Sequence, residues 1–273
     1  MRRDFPAHVT GAFRITNPGR NIMGLLDNRI ALVTGAGQGV GQGIAFALAA
    51  EGARVAVTGR TLAKLENTVA EIERRGGKAL AVQCEVKSLE SLQACVKAVV
   101  DHFGGLNILV NNAQEVPNGE LFDVSDEAFE AGFQSGPLAT MRLMKLCYPY
   151  LKGDGSIVNL ASSATKRWDM SGYGAYAGVK DAIRQLTRAA ACEWGKDNIR
   201  TNVILPHASS PGLVWWMEKN PEEAAAFFKT LPMGRVGDCE QDIGRFVAVL
   251  CSDYSRYVNG QTIGLDGGQA NIG

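Results

Sequence analysis

Tyr176 and Lys180 stand four residues apart, in Tyr176-Ala177-Gly178-Val179-Lys180. On a helix that spacing sets both side chains on one face, within reach of each other. A free phenol, with a pKa near ~10, is a poor base at neutral pH, and a neighbouring ammonium favours its phenolate. The pair can therefore give a proton to a carbonyl oxygen or take one from an alcohol. Alone, a tyrosine and a lysine so spaced are usually an accident of a solvated helix, so the reading needs support elsewhere in the chain.

That support is Thr34-Gly35-Ala36-Gly37-Gln38-Gly39-Val40-Gly41, which follows a short apolar run and opens a helix-length stretch. Gly35, Gly37, Gly39 and Gly41 let the backbone approach phosphates. The helix start, with Gln38 and Val40, supplies N–H donors and the favourable end of the dipole. A strand before and a helix after suit the pyrophosphate of a dinucleotide. An oxidised nicotinamide ring beside Tyr176 would further favour the phenolate, as hydride moves to or from the ring.

The elements that must position these groups follow from periodicity. Strand signals fall at Ile30–Thr34, Arg54–Thr58, Ala79–Cys84, Ile108–Asn111, Ser156–Leu160, Arg200–Leu205 and Thr262–Leu265. Helix-length amphipathic stretches separate them, such as Leu62–Arg75, with Leu65, Val69 and Ile72 at helical spacing. The alternation predicts an α/β fold: a Rossmann-type doubly wound sheet of seven mainly parallel strands with helices on both faces. Residues 23–273 read as one such domain, with an insertion at about 208–232 that includes a helical stretch at Pro221–Lys229. Residues 1–22 read as a dispensable extension. They carry Arg2, Arg3, Arg14 and Arg20 without a periodic apolar face or an h-region, and Met23-Gly24-Leu25-Leu26 looks like a natural start.

Composition excludes several classes. Of 273 residues, 46% are hydrophobic, enough for a core of normal size. Lys+Arg and Asp+Glu both count 28, which argues against a nucleic-acid partner or a polybasic membrane anchor, and no apolar run is long enough to span a bilayer. Six scattered cysteines form no CxxC pair, and three histidines form no zinc-type cluster. We therefore expect no disulfide framework, no metal and a reducing, cytoplasmic setting.

The TGxxxGxG spacing of the glycine turn resembles the short-chain dehydrogenase/reductase family, and other motifs agree in order and spacing. Asn111-Asn112-Ala113 matches the family's NNAG, with Gln114 in place of the glycine; Tyr176 to Lys180 matches YxxxK; Asn202 and Pro206 match the end of strand six; Asp266-Gly267-Gly268 matches the usual ending. The resemblance covers roughly residues 24 to 270 and implies an NAD(P)-dependent oxidoreductase acting on a carbonyl/alcohol pair. It implies that Tyr176 is the acid/base, that Lys180 serves both Tyr176 and the cofactor ribose, and that a serine helps to hold the reacting oxygen. Aligning the strand selects Ser162 for that role, and counting back from Tyr176 selects Ser163. Asn112 and Ala113 fall at the cofactor, Glu85-Val86 beside the adenine, and Pro206 and His207 near the nicotinamide carboxamide. The resemblance also implies a homo-oligomer, a tetramer.

Strand two ends Val57-Thr58-Gly59-Arg60-Thr61, with no Asp to accept from the ribose hydroxyls. Arg60 can instead make charge-assisted contacts with a 2′-phosphate, so NADP(H) is the expected cofactor and NAD(H) the alternative. Gln38 is neutral and adds no second basic contact. The family's segment between strands six and seven covers the substrate. Here it carries Trp215, Trp216, Phe227 and Phe228, and Trp168 lies in the loop before Tyr176. These aromatics suggest a bulky apolar or aromatic ketone or alcohol, with core packing as the competing use. Lys166 and Arg167 are candidates for an acidic substrate group, and His207 for a second acid/base. The altered Gln114 and His207 also keep open a nucleotide-binding regulatory protein with an impaired site. In helix four the family's asparagine is absent, and its place falls at Gly136-Pro137. Proline removes the N–H that would bond the Phe133 carbonyl. The expectation is a helix break there, with that carbonyl unpaired and turned towards Lys180.

Overall fold

The computed structural model of the chain describes residues 24–166, 168 and 172–272. The extension expected at residues 1–22 lies outside them. Seven strands form one sheet: β1 (Ile30–Thr34), β2 (Arg54–Gly59), β3 (Lys78–Gln83), β4 (Ile108–Asn111), β5 (Gly155–Leu160), β6 (Ile199–Pro206) and β7 (Thr262–Leu265). Their order is β3-β2-β1-β4-β5-β6-β7, and every pairing is parallel. The expected strands are present to within a residue or so at each end.

The central strands read IALVT, ILVN and GSIVNL and are buried at every position. Near-continuous apolar runs are what parallel strands covered on both faces require. One covering layer brings Ile44 and Leu48 of α1 (Gly39–Ala50) against Ile243, Val247 and Leu250, the last two on α9 (Arg245–Cys251). The other brings Leu92 and Val96 of α3 (Leu89–Phe103) against Leu143 and Cys147 of α5 (Ala139–Leu151). Leu65 and Ile72 of α2 (Leu62–Arg74) join the first layer and Ala190 of α6 (Gly174–Trp194) the second, and the described chain also forms α4 (Asp126–Phe133), α7 (Pro211–Lys219) and α8 (Pro221–Phe228). Among the described residues no helix is long and apolar enough to cross a membrane.

Strand order reverses between β1 and β4. In open α/β sheets the carboxyl ends at such a switch point form the crevice where ligands bind. The register sets Thr34 opposite Thr58 and Asn111 opposite Asn159, so the ends of β1, β2, β4 and β5 meet along one edge.

The helix expected to break at Gly136-Pro137 does not break. A five-residue π-helical segment, Gln134–Leu138, joins α4 to α5 with Pro137 inside it. The Ala139 N–H reaches back five residues to the Gln134 carbonyl. The same pattern brings the Leu138 N–H to the Phe133 carbonyl in place of the donor that Pro137 lacks. The missing bond is repaired by one extra residue in the turn, so the expected unpaired carbonyl is not available to Lys180.

Candidate active site

At the end of β1, the Thr34 hydroxyl accepts from the backbone N–H groups of Asn112 (2.9 Å) and Ala113 (3.0 Å). Asn112 Nδ2 donates to the carbonyls of Thr34 (2.9 Å) and Gly35 (3.1 Å). Asn112 is thus turned into the glycine loop and laces β4 to β1. The lacing leaves no room for side chains. Gly35 has φ +65°, and a Cβ there would lie 2.7 Å from Asn112 Nδ2; one on Gly41 would lie 2.5 Å from the Gly35 carbonyl oxygen. Gln38, at the N-cap of α1, makes no side-chain cap, and the first turn holds no acidic residue. An open glycine backbone leading to uncapped helix N–H groups fits the pyrophosphate of a dinucleotide. Gly39 lies against Pro211 and Ser210, so the segment after β6 borders the same loop.

The end of β2 carries more charge than Arg60 alone suggests. Lys64, in the first turn of α2, reaches the glycine loop and donates to Gln38 Oε1 at 2.6 Å. Gln38 therefore brings a second cation to the loop, a contact that sequence reasoning missed; its signal was a lysine four residues after Arg60 at the start of a helix. Arg60 pairs with Glu115 at 2.9 Å, and Lys87 pairs with the same carboxylate at 3.1 Å. Glu115 was also missed. Glu85 accepts from the Lys87 N–H at 3.1 Å, and Val86 beside it is buried.

Tyr176 and Lys180 lie on α6, with Lys180 Nζ 5.6 Å from the centre of the Tyr176 ring. Lys180 is buried, and its Nζ donates to the Leu160 carbonyl at the end of β5 at 2.8 Å. Burial lowers its pKa to about 7. Tyr176 moves the other way. Burial raises its pKa above the ordinary phenol value, Tyr173 adds to this, and a hydrogen bond with Ser162 opposes it. In the protein alone the phenol is thus held protonated, opposite to the lowering expected from the lysine, because desolvation outweighs an ammonium that spends its bond on a carbonyl. Beneath the pair, Asn111 Nδ2 donates to Asn159 Oδ1 (2.8 Å) and Asn159 Nδ2 to Thr187 Oγ1 (2.9 Å), which ties β4, β5 and α6 together.

The two serines separate. Ser162 meets the Tyr176 phenol, while the Ser163 hydroxyl turns away and donates to Gln269 Oε1 at 2.7 Å.

Two departures from the family pattern touch each other. Gln114 Nε2 donates to the carbonyls of Glu115 and Gly132, both at 2.7 Å. A Cβ on Gly136 would lie 2.8 Å from Gln114 Nε2 and closer still to Oε1, so the Gln114 amide fills the space over Gly136.

On the opposite side, β6 ends at Pro206, and the His207 N–H donates to the Leu265 carbonyl at 2.9 Å. The Phe227 ring meets His207 edge-on at 5.4 Å and Trp216 at 6.0 Å. Trp215 is largely exposed and Trp168 stands wholly in solvent. A cavity of about 470 Å³ opens beside this cluster, lined by His207, Met233, Arg235 and Asp266 among others. Lys166 ends a short 3₁₀ turn, Ser163–Lys166, and Arg167 lies outside the described residues.

Sheet order, glycine loop and the Tyr–Lys helix together define a dinucleotide-dependent oxidoreductase, and the family comparison agrees. The family model described as enoyl-(acyl carrier protein) reductase matches residues 35–270. The chain belongs to the short-chain dehydrogenase/reductase family and is an NAD(P)-dependent oxidoreductase of that family. It is 40% identical over 255 residues to the 12α-hydroxysteroid dehydrogenase of a Clostridium species, covering 90% of this chain and 98% of the relative. It is 32% identical over 256 residues to versicolorin reductase 1 of Dothistroma septosporum, covering 89% and 96%. Among solved structures, a variant of actinorhodin polyketide ketoreductase with NADPH superposes with a TM-score of 0.84 at 28% identity, covering 89% of this chain and 98% of that one.

Proposed function

We propose that this chain uses NADP(H) to interconvert a carbonyl and an alcohol on a bulky apolar or aromatic substrate, with Tyr176 as the acid/base. The observation that carries the reading is the meeting of Ser162, Tyr176 and buried Lys180 at the sheet edge that also bears the glycine loop. When bound, the nicotinamide supplies or accepts the hydride at the substrate carbon. Ser162 donates to the substrate oxygen and fixes it against the phenol. Tyr176, held protonated by burial, passes its proton to that oxygen in the reducing direction. Lys180, with a pKa near neutrality, is favoured as the ammonium once the phenolate forms beside it, taking any proton it lacks from solvent, so a charge pair replaces an isolated anion.

Arg60, just past β2, and Lys64, beside the glycine loop, support NADP(H) as two cations able to pair with a 2′-phosphate, and the solved relative with NADPH is in keeping with this. The Trp216–Phe227–His207 cluster supports an apolar substrate, as do relatives named for a hydroxysteroid and for versicolorin. The chain is read as a cytoplasmic homotetramer: Phe129 and Phe133 of α4 are exposed apolar residues available to a second copy, and all six cysteines are free. A monomer by light scattering at micromolar concentration would remove the assembly.

The test is steady-state kinetics with NADPH and NADH over steroid, polycyclic and small hydrophilic ketones. Faster turnover with NADPH on the large apolar members is expected, and Arg60→Asp should shift preference towards NAD(H). A rate with NADH equal to or above that with NADPH, or activity on small hydrophilic ketones alone, would overturn the proposal.

A further inference from the structure

Glu115 follows the end of β4, and its carboxylate lies on Arg60, one of the two cations assigned above to a 2′-phosphate, and on Lys87. Oε1 is 2.9 Å from Arg60 Nη1 and 3.1 Å from Lys87 Nζ, and Oε2 is 3.3 Å from the same Nζ. The main chain of Glu115 is pinned on both sides. Its N–H donates to Ser135 Oγ at 2.9 Å, and its carbonyl accepts from Gln114 Nε2 at 2.7 Å. Ser135 is itself held by its bond to the Ala131 carbonyl at 2.7 Å. The Arg60 side chain is 64% exposed and that of Glu115 30%. Of the two partners, the guanidinium is on the free arm and the carboxylate on the fixed one.

We propose that Glu115 is a specificity-determining residue: an internal anion that occupies the 2′-phosphate cradle and narrows the discrimination between NADP(H) and NAD(H). The inference rests on the NADP(H) reading above. A 2′-phosphate competes with Glu115 for Arg60, whose Nη1 the carboxylate already holds. The carboxylate, anchored by its backbone and retained by Lys87, stays close enough to repel the phosphate. A 2′-hydroxyl makes neither demand. It leaves the Arg60–Glu115 pair intact and can donate a hydrogen bond to the carboxylate. The phosphate still wins Arg60 through its greater charge, because an exposed ion pair is weak.

The probes are adenosine 2′,5′-bisphosphate and adenosine 5′-monophosphate, which differ only in the 2′-phosphate, titrated by calorimetry into the full chain without substrate. Glu115→Gln keeps the shape and removes the charge. It should bind the bisphosphate about three- to tenfold more tightly than the parent chain, with the monophosphate changed by less than about twofold. The gain should shrink between low salt and about 0.3 M salt, as screening weakens both the pair and the repulsion. Glu115→Ala should give the same sign if the charge is the cause. Unchanged or weaker bisphosphate binding in both variants would overturn the proposal, and equal weakening of both probes would mark Glu115 as a ribose ligand instead. Arg60→Ala separates the two levels of inference. If it binds the bisphosphate as tightly as the parent chain, the NADP(H) reading fails and this one with it. If Arg60→Ala loses affinity while the Glu115 variants gain none, only the role of Glu115 falls.

Discussion

The contact between Gln114 and Gly136 makes each residue conditional on the other, and a double-mutant cycle measures that condition. Gly136→Asn places a side chain where Gln114 already sits, with a Cβ only 2.8 Å from Nε2 and 2.9 Å from Cδ. The Gln114 amide must leave and give up its two bonds, to the Glu115 and Gly132 carbonyls. Two bonds at about 1 kcal/mol each, plus at least about 1 kcal/mol for overpacking, predict a loss of about 3 kcal/mol. Gln114→Gly removes the same two bonds, opens a void over Gly136 and adds backbone freedom, for a similar loss. In the double variant the new asparagine amide enters the vacated space, so the two losses should not add. A coupling of about 2–3 kcal/mol is expected, against the ~0.5 kcal/mol scatter of independent sites. For a domain of this size each single variant should melt about 6–12 °C lower, and the double variant about as low as a single one or slightly lower, well short of the roughly 12–24 °C drop that additive losses would give. Urea and thermal unfolding without nucleotide give the values, since bound ligand would mask them by mass action. Additive losses would show that the two positions do not share one space. Because Gln114 also holds the Glu115 carbonyl, Gly136→Asn alone should disturb binding at the adenosine end, whereas a merely local clash would not.

Other expectations concern the reacting groups. Tyr176→Phe should lower turnover by about 10²–10⁴-fold while nucleotide binding, followed by fluorescence, stays nearly unchanged; turnover within tenfold of the parent chain would remove Tyr176 from the proton transfer. Ser162→Ala should lower kcat by about 10²-fold or more, whereas Ser163→Ala should lose its bond to Gln269 and cost stability rather than chemistry, with the reverse order reassigning the role. Lys180 has a native pKa near 7, below the ordinary lysine value of 10.5. Between those two values the unfolded chain binds more protons than the native one, so its contribution makes stability rise with pH across that window and stay flat below it. Lys180→Met should flatten the rise and stabilise the nucleotide-free protein most at or below neutral pH; an unchanged profile in denaturant titrations at several pH values would refute the assignment.

The parts of this molecule written locally were legible in its sequence. Each parallel strand is a short apolar run: β1, β4 and β5 are buried throughout, and even the edge strands β3 and β7, only partly covered, keep enough apolar residues to be recognised. The glycine turn reads directly because four glycines between a strand and a helix serve one purpose, and Tyr176 and Lys180 meet because helical spacing alone brings them together. The glycine loop and the Tyr–Lys face therefore lie where they were expected. The choice between Ser162 and Ser163 was not legible, since one residue of difference in a turn decides which hydroxyl faces the phenol.

What escaped are contacts across the sheet's crossover. Arg60 and Glu115 are 55 residues apart and meet only because β4 lies beside β1. Read singly, Gln114, Gly136 and Pro137 are three losses from a family pattern. In space they are one arrangement: the glutamine amide fills what the glycine leaves open, and the π-helical segment supplies the donor that the proline removed. Ser135 from that segment and Gln114 then hold the Glu115 backbone, whose side chain faces Arg60. The departures thus compensate one another, and the chain that connects them runs from helix four to Arg60, at the proposed adenosine end of the cradle. A change at Gly136 should for that reason be felt as altered nucleotide discrimination before it is felt as lost proton transfer.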